Sequence, residues 1–455
     1  MRKVFDNLDT PSDFYLSQLE RDTESRASAS GTSARQGVPG GAPAGVRRGL
    51  EQITESLRED LVTYLHSLHA NPEVAFEEVH AARSTAELLS RYGLEAQVGA
   101  YGLTTAVHAE FASADYDPAT DRTIAILSEY DALVGLGHAC GHNVIAATGV
   151  GAAISLFILM QRSPEGFRGR VVFLGTPAEE GRTGKEYMAR EGAFDDVDAA
   201  IMVHPYGYDL ADQVWLGRRV LTAEFEGISA HASAQPFQGR NALDAASLAY
   251  QGLGVLRQQI LPVDRLHAVI SSGGDRASII ADSSRLDLYV RSKYPETLRD
   301  LSKRVENVLE GASLMTGTRL TLTWDQDPPS LPVRTNTALT ARWVAAQQHR
   351  GRAPLPPGVV PETIAASTDF GNISYRVPGI HPLLKISASD VALHTAEFCD
   401  AAKSEAAEHG AVDGAYGLAA TAIDFLTDDN LARTVRQEFE AAGGAADVAH
   451  FFDGD

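Results

Sequence analysis

The stretch LGHACGHN, Leu136 to Asn143, sets His138, Cys140 and His142 at alternate positions. Imidazole and thiolate are the usual ligands of zinc and other late divalent ions. Two further stretches carry matching chemistry: PAEEG, with Glu179 and Glu180 side by side, and MVHP, with His204. Cys140 is one of only 2 cysteines in 455 residues, so a disulfide framework is excluded and a metal or catalytic role is the natural reading. Cys399, in HTAEFCDAA, reads as a buried apolar cysteine.

Each motif alone is a weak signal, because Cys-x-His and paired glutamates are common in ordinary turns. Their positions strengthen them. The three motifs follow three short apolar runs, TIAIL, RVVFL and AAIMV, in that order. Runs of this kind read as strands covered on both faces. Open α/β sheets bind ligands at the carboxyl ends of such strands. A bound divalent ion lowers the pKa of a water to ~7, and a neighbouring carboxylate can take the proton. The Glu179–Glu180 doublet supplies one carboxylate for an ion and one for the water. The number of candidates points to two ions sharing a ligand.

The elements that must position these residues alternate between helix and strand. EQITESLREDLVTYLHSLHA reads as one amphipathic helix with Ile53, Leu57, Leu61 and Leu65 on one face. HAARSTAELLSRYG reads as a second, closed by Gly93. A helix from about Val144 to Gln161 separates the first two strands, and GKEYMAREG separates the next pair. This is an α/β fold with a mostly parallel sheet. From about Val220 the order becomes β-α-β-β-α-β, a ferredoxin-like unit inserted before the α/β texture resumes. The expected divisions are an N-terminal segment 1–48, a catalytic domain in two parts (49–219 and 329–428), an inserted domain 220–328 and a tail 429–455. Residues 1–48 are rich in Ser, Gly, Ala and Pro and are expected to lack order apart from a short helix at SDFYLSQLERD. The tail reads as a weak helix with a loose end.

The net charge of -21 argues against nucleic acid and anionic membranes as partners. No stretch approaches the ~20 apolar residues of a membrane span. No apolar segment follows the first charges, so the expected location is the cytoplasm.

In order, GHACGHN, PAEEG, MVHP, ISAHASAQPFQGRNALDA and ALHTAEF resemble the co-catalytic metallopeptidases related to aminoacylase and carboxypeptidase G. LSEYDALVGLGHACGHN and STDFGNISYRVPGIHP are most similar to the p-aminobenzoyl-glutamate hydrolase and Xaa-Arg dipeptidase-like subgroup. The resemblance implies that the inserted domain is a lid that also forms a homodimer. It implies two divalent ions, zinc first, with manganese or cobalt as alternatives. Cys140 then matches the bridging ligand, His142 and His204 match ligands of one ion, and Glu180 and His394 match ligands of the other. Glu179 matches the general base. His231 matches a histidine that reaches the neighbouring subunit's site and holds the oxyanion, and Asn241 matches a substrate contact. Asn143, where the commoner branch has Asp, and the STD at Ser367 to Asp369, where it has Ser-Glu-Asp, set this chain apart from enzymes of indole-acetyl or hippurate substrates.

Two residues outside the motifs are candidates by chemistry: Arg291 for a substrate carboxylate and His381 as a pocket-lining group. His138 is left outside the metal shell. The expected function is metal-dependent hydrolysis of the amide bond of a small N-acyl amino acid or dipeptide-like substrate. A deacetylase or N-carbamoyl hydrolase on the same fold is the alternative enzyme reading. A non-catalytic metal-binding scaffold dimer is the alternative outside catalysis, and the presence of Glu179 counts against it.

Overall fold

The computed structural model describes residues 12, 14–30, 40–164, 168–362 and 365–453. After α1 (Phe14–Ser30), the chain forms α2 (Ala44–Ser56), α3 (Arg58–Ala70), α4 (Val79–Arg91), β1 (Ala96–Val98) and β2 (Val107–Ala112). It continues through β3 (Thr123–Glu129), α5 (His142–Arg162), β4 (Arg170–Thr176), α6 (Glu179–Arg182), α7 (Gly184–Arg190), β5 (Ala199–Ile201) and β6 (His204–Tyr206). The inserted unit is β7 (Gly217–Glu226), α8 (Ala242–Leu256), β8 (Arg265–Ser272), β9 (Ser283–Ser292), α9 (Pro295–Thr316) and β10 (Arg319–Trp324). The last part is α10 (Thr337–His349), α11 (Phe370–Ser374), β11 (Gly379–Ile380), β12 (Leu383–Lys385), α12 (Ala396–Ala401), α13 (Glu405–Thr427) and α14 (Asp429–Ala441).

The main sheet has the order β1-β2-β4-β3-β5-β11. β4, β3, β5 and β11 are mutually parallel, while β2 pairs antiparallel with both β1 and β4. The fold is thus α/β with a mostly parallel sheet. All 7 residues of β3 are buried, which is why its sequence is apolar without alternation. α5 is buried on nearly every side, between the sheet and α13. Contrary to the sequence reading, its 21 residues are by length and composition enough to cross a membrane, the one such helix among the described residues, and it lies in the core. Its glycines permit that packing: a Cβ on Gly151 would lie 2.8 Å from Ala415 Cβ. The inserted unit forms a separate antiparallel sheet, β10-β7-β9-β8, the ferredoxin-like order. Its own core joins Leu221, Phe225, Leu288, Leu298 and Leu309.

The structure corrects three local readings. The helix expected over 51–70 is two helices, α2 and α3, meeting at Leu57, although Ile53, Leu57, Leu61 and Leu65 do share a buried face. Order begins well before residue 48. α1 extends to Ser30, because Leu19 and Thr23 are buried and Arg26 Nη1 donates to Val359 O at 3.2 Å. α2 starts at Ala44. The rest of the N-terminal expectation falls on 1–11, 13 and 31–39, outside the described residues. The tail is not loose through Asp453. Val448 is buried, Phe452 packs on the inserted domain's core, and the Arg219 guanidinium lies between Trp324 (4.2 Å) and Phe452 (4.3 Å).

Candidate metal centre

Adjacent strand ends build the site. β3 ends at Glu129, and the loop after it delivers Cys140 and leads into His142, the first residue of α5. Gly141 between them has φ +79°, and a Cβ there would lie 2.5 Å from Pro205 Cγ, so the Cys-Gly-His turn requires glycine. β4 ends at Thr176, and Glu179 and Glu180 follow in a strained turn, with Ala178 and Thr183 both at φ +59°. His204 opens β6 just beyond β5. His394 comes from the loop before α12, also in the left-handed region at φ +62°, and its backbone N–H donates to Ala139 O at 2.9 Å.

The ligand atoms form two groups that share one residue. Cys140, His142 and His204 offer atoms within 4.8 Å of one another, as do Cys140, Glu180 and His394. Cys140 Sγ is 3.4 Å from His204 Nε2, and His394 Nε2 is 3.4 Å from Glu180 Oε1. Glu179 Oε2 lies 3.9 Å from His142 Nε2. Two of these atoms, His142 Nε2 and Glu180 Oε1, are buried and without a hydrogen-bond partner. Buried polar atoms are seldom left so. Soft thiolate, imidazole and carboxylate together match a late divalent ion, so the residues present fit a metal.

A second layer orients these groups. Asp131 Oδ1 accepts from His142 Nδ1 at 2.9 Å, and its Oδ2 accepts the Glu180 backbone N–H at 2.8 Å. His204 Nδ1 donates to Pro205 O at 2.7 Å. Both imidazoles therefore turn Nε2 toward the cluster, the arrangement that metal-binding histidines adopt. Behind them Lys185 is fully buried, with its ammonium on Glu129 and on Asp369 Oδ1 at 2.6 Å. That cation offsets a third acidic group formed by Glu129, Glu179 and Asp369.

The electrostatics follow from burial and these neighbours. Burial, then Glu129 and Glu180, raise the Glu179 carboxyl well above the ordinary range. Burial acts the same way on Glu180, but the close contact with His394 and the His142 charge outweigh it and bring the group down to about 2. Burial and Glu180 push the Cys140 thiol up. Burial and His142 lower His204 to about 4, which keeps its ring neutral. For His142, burial favours the neutral ring, yet Cys140 and Asp131 hold it well above the ordinary value. A cation between these groups would relieve that competition, since metals bind the thiolate and the neutral ring.

The structure thus brings together Cys140, His142, Glu179, Glu180, His204 and His394. The other expected residues lie apart from the cluster. His381 is buried behind His204, its ring 5.8 Å from that of His204, stacked on Phe370 and edge-on to Trp215. Asn241 caps α8, its Oδ1 accepting the Leu243 N–H at 3.1 Å. His231 is exposed, and its Nδ1 accepts the backbone N–H groups of Ser233 and Ala234. Arg291 sits on β9 opposite Arg218 of β7. Asp131, Glu129, Lys185 and Trp215 were not singled out in the sequence. The first two had a signal, since SEYD follows TIAIL directly at the strand end. Lys185 lies in GKEYM, where nothing distinguishes it from a solvated lysine.

Residues 118–412 match the family model for peptidase family M20/M25/M40. The chain belongs to this family. Among M20 relatives, the Xaa-Arg dipeptidase of Mus musculus is 36% identical over 402 residues, covering 87% of this chain and 92% of that protein. A p-aminobenzoyl-glutamate hydrolase subunit of Escherichia coli (strain K12) is 28% identical over 464 residues, covering 87% of this chain and 95% of the relative. A Bacillus subtilis crystal structure, described as a dinuclear metal-binding peptidase of the M20 family, shares the fold with a TM-score of 0.58 at 18% identity, covering 79% of this chain and 98% of that one. As an M20 protein, the chain is a hydrolase acting on amide or peptide bonds.

Proposed function

We propose that this M20 hydrolase cleaves a small N-acyl amino acid or dipeptide-like amide at a two-ion centre, with Cys140 shared between the ions. The observation that carries the reading is the pair of ligand groups meeting at Cys140. Zinc suits this donor set best, with manganese or cobalt as alternatives. When bound, the ions would supply Lewis acidity that makes a water nucleophilic near neutral pH. Glu179 is the base in this account. Its raised carboxyl is suited to take the water's proton and return it to the leaving amine.

A carboxylate on the substrate is favoured by two arginines paired across neighbouring lid strands, Arg218 of β7 and Arg291 of β9. Arg218 and Arg291 face the same ring, Tyr289, at 5.7 and 5.0 Å. The Nε of each is buried without a hydrogen-bond partner among the described residues. An acid near enough to act on Arg218, Asp325, is already paired with Arg219, and two guanidiniums with buried nitrogens favour an anion beside them. Arg218 also donates to Thr183 Oγ1 at 3.0 Å, which joins the pair to the turn bearing Glu179 and Glu180. An N-acyl amino acid or dipeptide carries such a carboxylate, and a simple acetylated amine does not.

His231 is the proposed oxyanion donor, acting on a partner subunit's site in a homodimer joined through the lid. With Nδ1 accepting two backbone N–H groups, the ring proton resides on Nε2, which is free to donate. Both cysteines are free thiols, and a thiolate ligand suits the reducing cytoplasm, where we place the protein. The test is amine release from a panel of N-acyl amino acids, β-alanyl dipeptides and p-aminobenzoyl-glutamate by the metal-loaded protein. Turnover confined to substrates with a free carboxylate supports this account. Equal turnover of N-acetylated amines without one would favour the deacetylase reading.

A further inference from the structure

Glu179 hangs from a turn that a carboxylate outside the metal cluster holds. Ala178, directly before it, is buried and left-handed at φ +59°. A residue with a side chain stays in that region only where its surroundings force it there. The Ala178 N–H donates to Glu78 Oε1 at 2.8 Å. The Ala178 carbonyl accepts the Gly184 N–H at 3.1 Å, which closes the turn on its other side.

Glu78 directly precedes α4 and is itself buried. The same Oε1 accepts the Phe76 N–H at 3.0 Å, and Phe76 is left-handed too, at φ +65°. Oε2 accepts from the Thr105 hydroxyl at 2.8 Å. One oxygen thus joins two strained backbone positions that lie far apart in sequence. The segment before α4 also braces the neighbouring strand exit, because the Ala132 N–H, next to Asp131, donates to Glu73 O at 2.8 Å. Burial first, then the charge of Asp131, push the Glu78 carboxyl up to about 7, so the clamp needs an acceptor oxygen rather than a full charge. Glu78 belongs to none of the ligand groups among the described residues. Adjacent glutamates are therefore held by different acids. Asp131 Oδ2 takes the N–H of Glu180, an ion ligand, and Glu78 Oε1 takes the N–H just before the base.

We propose that Glu78 is a positioning residue for the catalytic base: by accepting the Ala178 N–H it fixes the turn from which Glu179 reaches the water, and it leaves metal binding to other groups. The assignment rests on the role given to Glu179 above. It adds that a buried carboxyl far in sequence from Glu179 sets where the base points.

The test compares Glu78→Gln, which keeps an acceptor oxygen, with Glu78→Leu, which is of similar size and keeps none. Each metal-loaded full chain is read by amide hydrogen exchange over residues 178–183, by metal content, and by kinetics on the panel substrate that the wild type turns over fastest. In Glu78→Leu, exchange over 178–183 should rise about tenfold or more while exchange in β3 and α5 is unchanged. Metal content should stay at the wild-type level, kcat should fall about 10–100-fold, and KM should change less than about twofold. Glu78→Gln should stay within about threefold of the wild type in every readout. If Glu78→Leu does not fold, Glu78→Asp takes its place, because the shorter side chain cannot reach Ala178 and Thr105 together, and the same pattern is expected with a kcat loss of about fivefold or more. Unchanged exchange or unchanged kcat in the variant without the clamp overturns the proposal. Metal loss in step with the loss of kcat overturns it too, as does a Glu78→Gln that behaves like Glu78→Leu. Turnover retained in Glu179→Gln would remove the base itself, which separates failure of that reading from failure of this one. Should the wild type hydrolyse nothing in the panel, the substrate reading falls, and the exchange arm alone decides for or against the clamp.

Discussion

Asp131 fixes His142 and the ligand turn at once: Oδ1 accepts from His142 Nδ1 at 2.9 Å, while Oδ2 accepts the backbone N–H of Glu180 at 2.8 Å. One carboxylate therefore orients a ligand of each proposed ion. In Asp131→Asn the amide cannot serve as an acceptor at both atoms. Metal affinity, measured by competition with a chromophoric chelator, should fall roughly 10–100-fold, as for other lost orienting partners. Unchanged affinity would mean the two hydrogen bonds do not hold the ligands in place.

Glu179→Gln should keep fold and metal and lose turnover. The amide has nearly the same shape but cannot accept a water's proton. A drop of ~10²–10⁴-fold in kcat is the expected size for a general base. Near wild-type turnover in this variant, with metal content verified, would assign the base elsewhere.

His381 links stability to pH. Burial first, then His204 and Lys185, hold its pKa well below the ordinary 6.5. The unfolded chain therefore takes up a proton below pH ~6.5 that the folded chain does not. The stabilising effect of the neutral ring is full above that pH and is lost as pH falls below it. His381→Phe preserves the stacking on Phe370 and removes the titration. Between pH ~7.5 and ~5.5 the wild type should lose about 1 kcal/mol more than the variant in denaturant unfolding. Parallel losses in the two proteins would mean that His381 titrates normally.

In the proposed homodimer His231, whose hydrogen bonds are to Ser233 and Ala234 of the lid, acts on the partner's site. His231→Ala and Glu179→Gln should each be nearly inactive alone. Mixed under conditions of subunit exchange, they should recover up to about one quarter of wild-type activity, because half the dimers then hold one intact site. Exchange demonstrated by mass spectrometry without recovered activity would confine His231 to its own chain.

The site was legible in the sequence where chemistry and strand ends coincide. TIAIL, RVVFL and AAIMV are the neighbouring strands β3, β4 and β5, and buried parallel strands leave an unbroken apolar signal. The ferredoxin-like insert was legible because its half-exposed strands alternate, as along β9. What the sequence hid depends on tertiary packing. β1, β6, β11 and β12 span 2 or 3 residues each, too short for a periodic signal. Lys185 is charged in a helix of mixed character, and only the fold surrounds it with Glu129 and Asp369. α1 is polar along most of its length, and its order comes from a few residues pressed against a distant part of the chain.

The central claim is that one thiolate serves two ions, and metal stoichiometry in Cys140→Ala tests it most directly. Elemental analysis after saturation and removal of free metal should give two divalent ions per wild-type chain. The variant loses the residue common to both ligand groups and leaves His142 with His204, and Glu180 with His394, as separate pairs. It should hold fewer than one ion per chain. Two ions retained in Cys140→Ala, with the fold intact, would contradict the account.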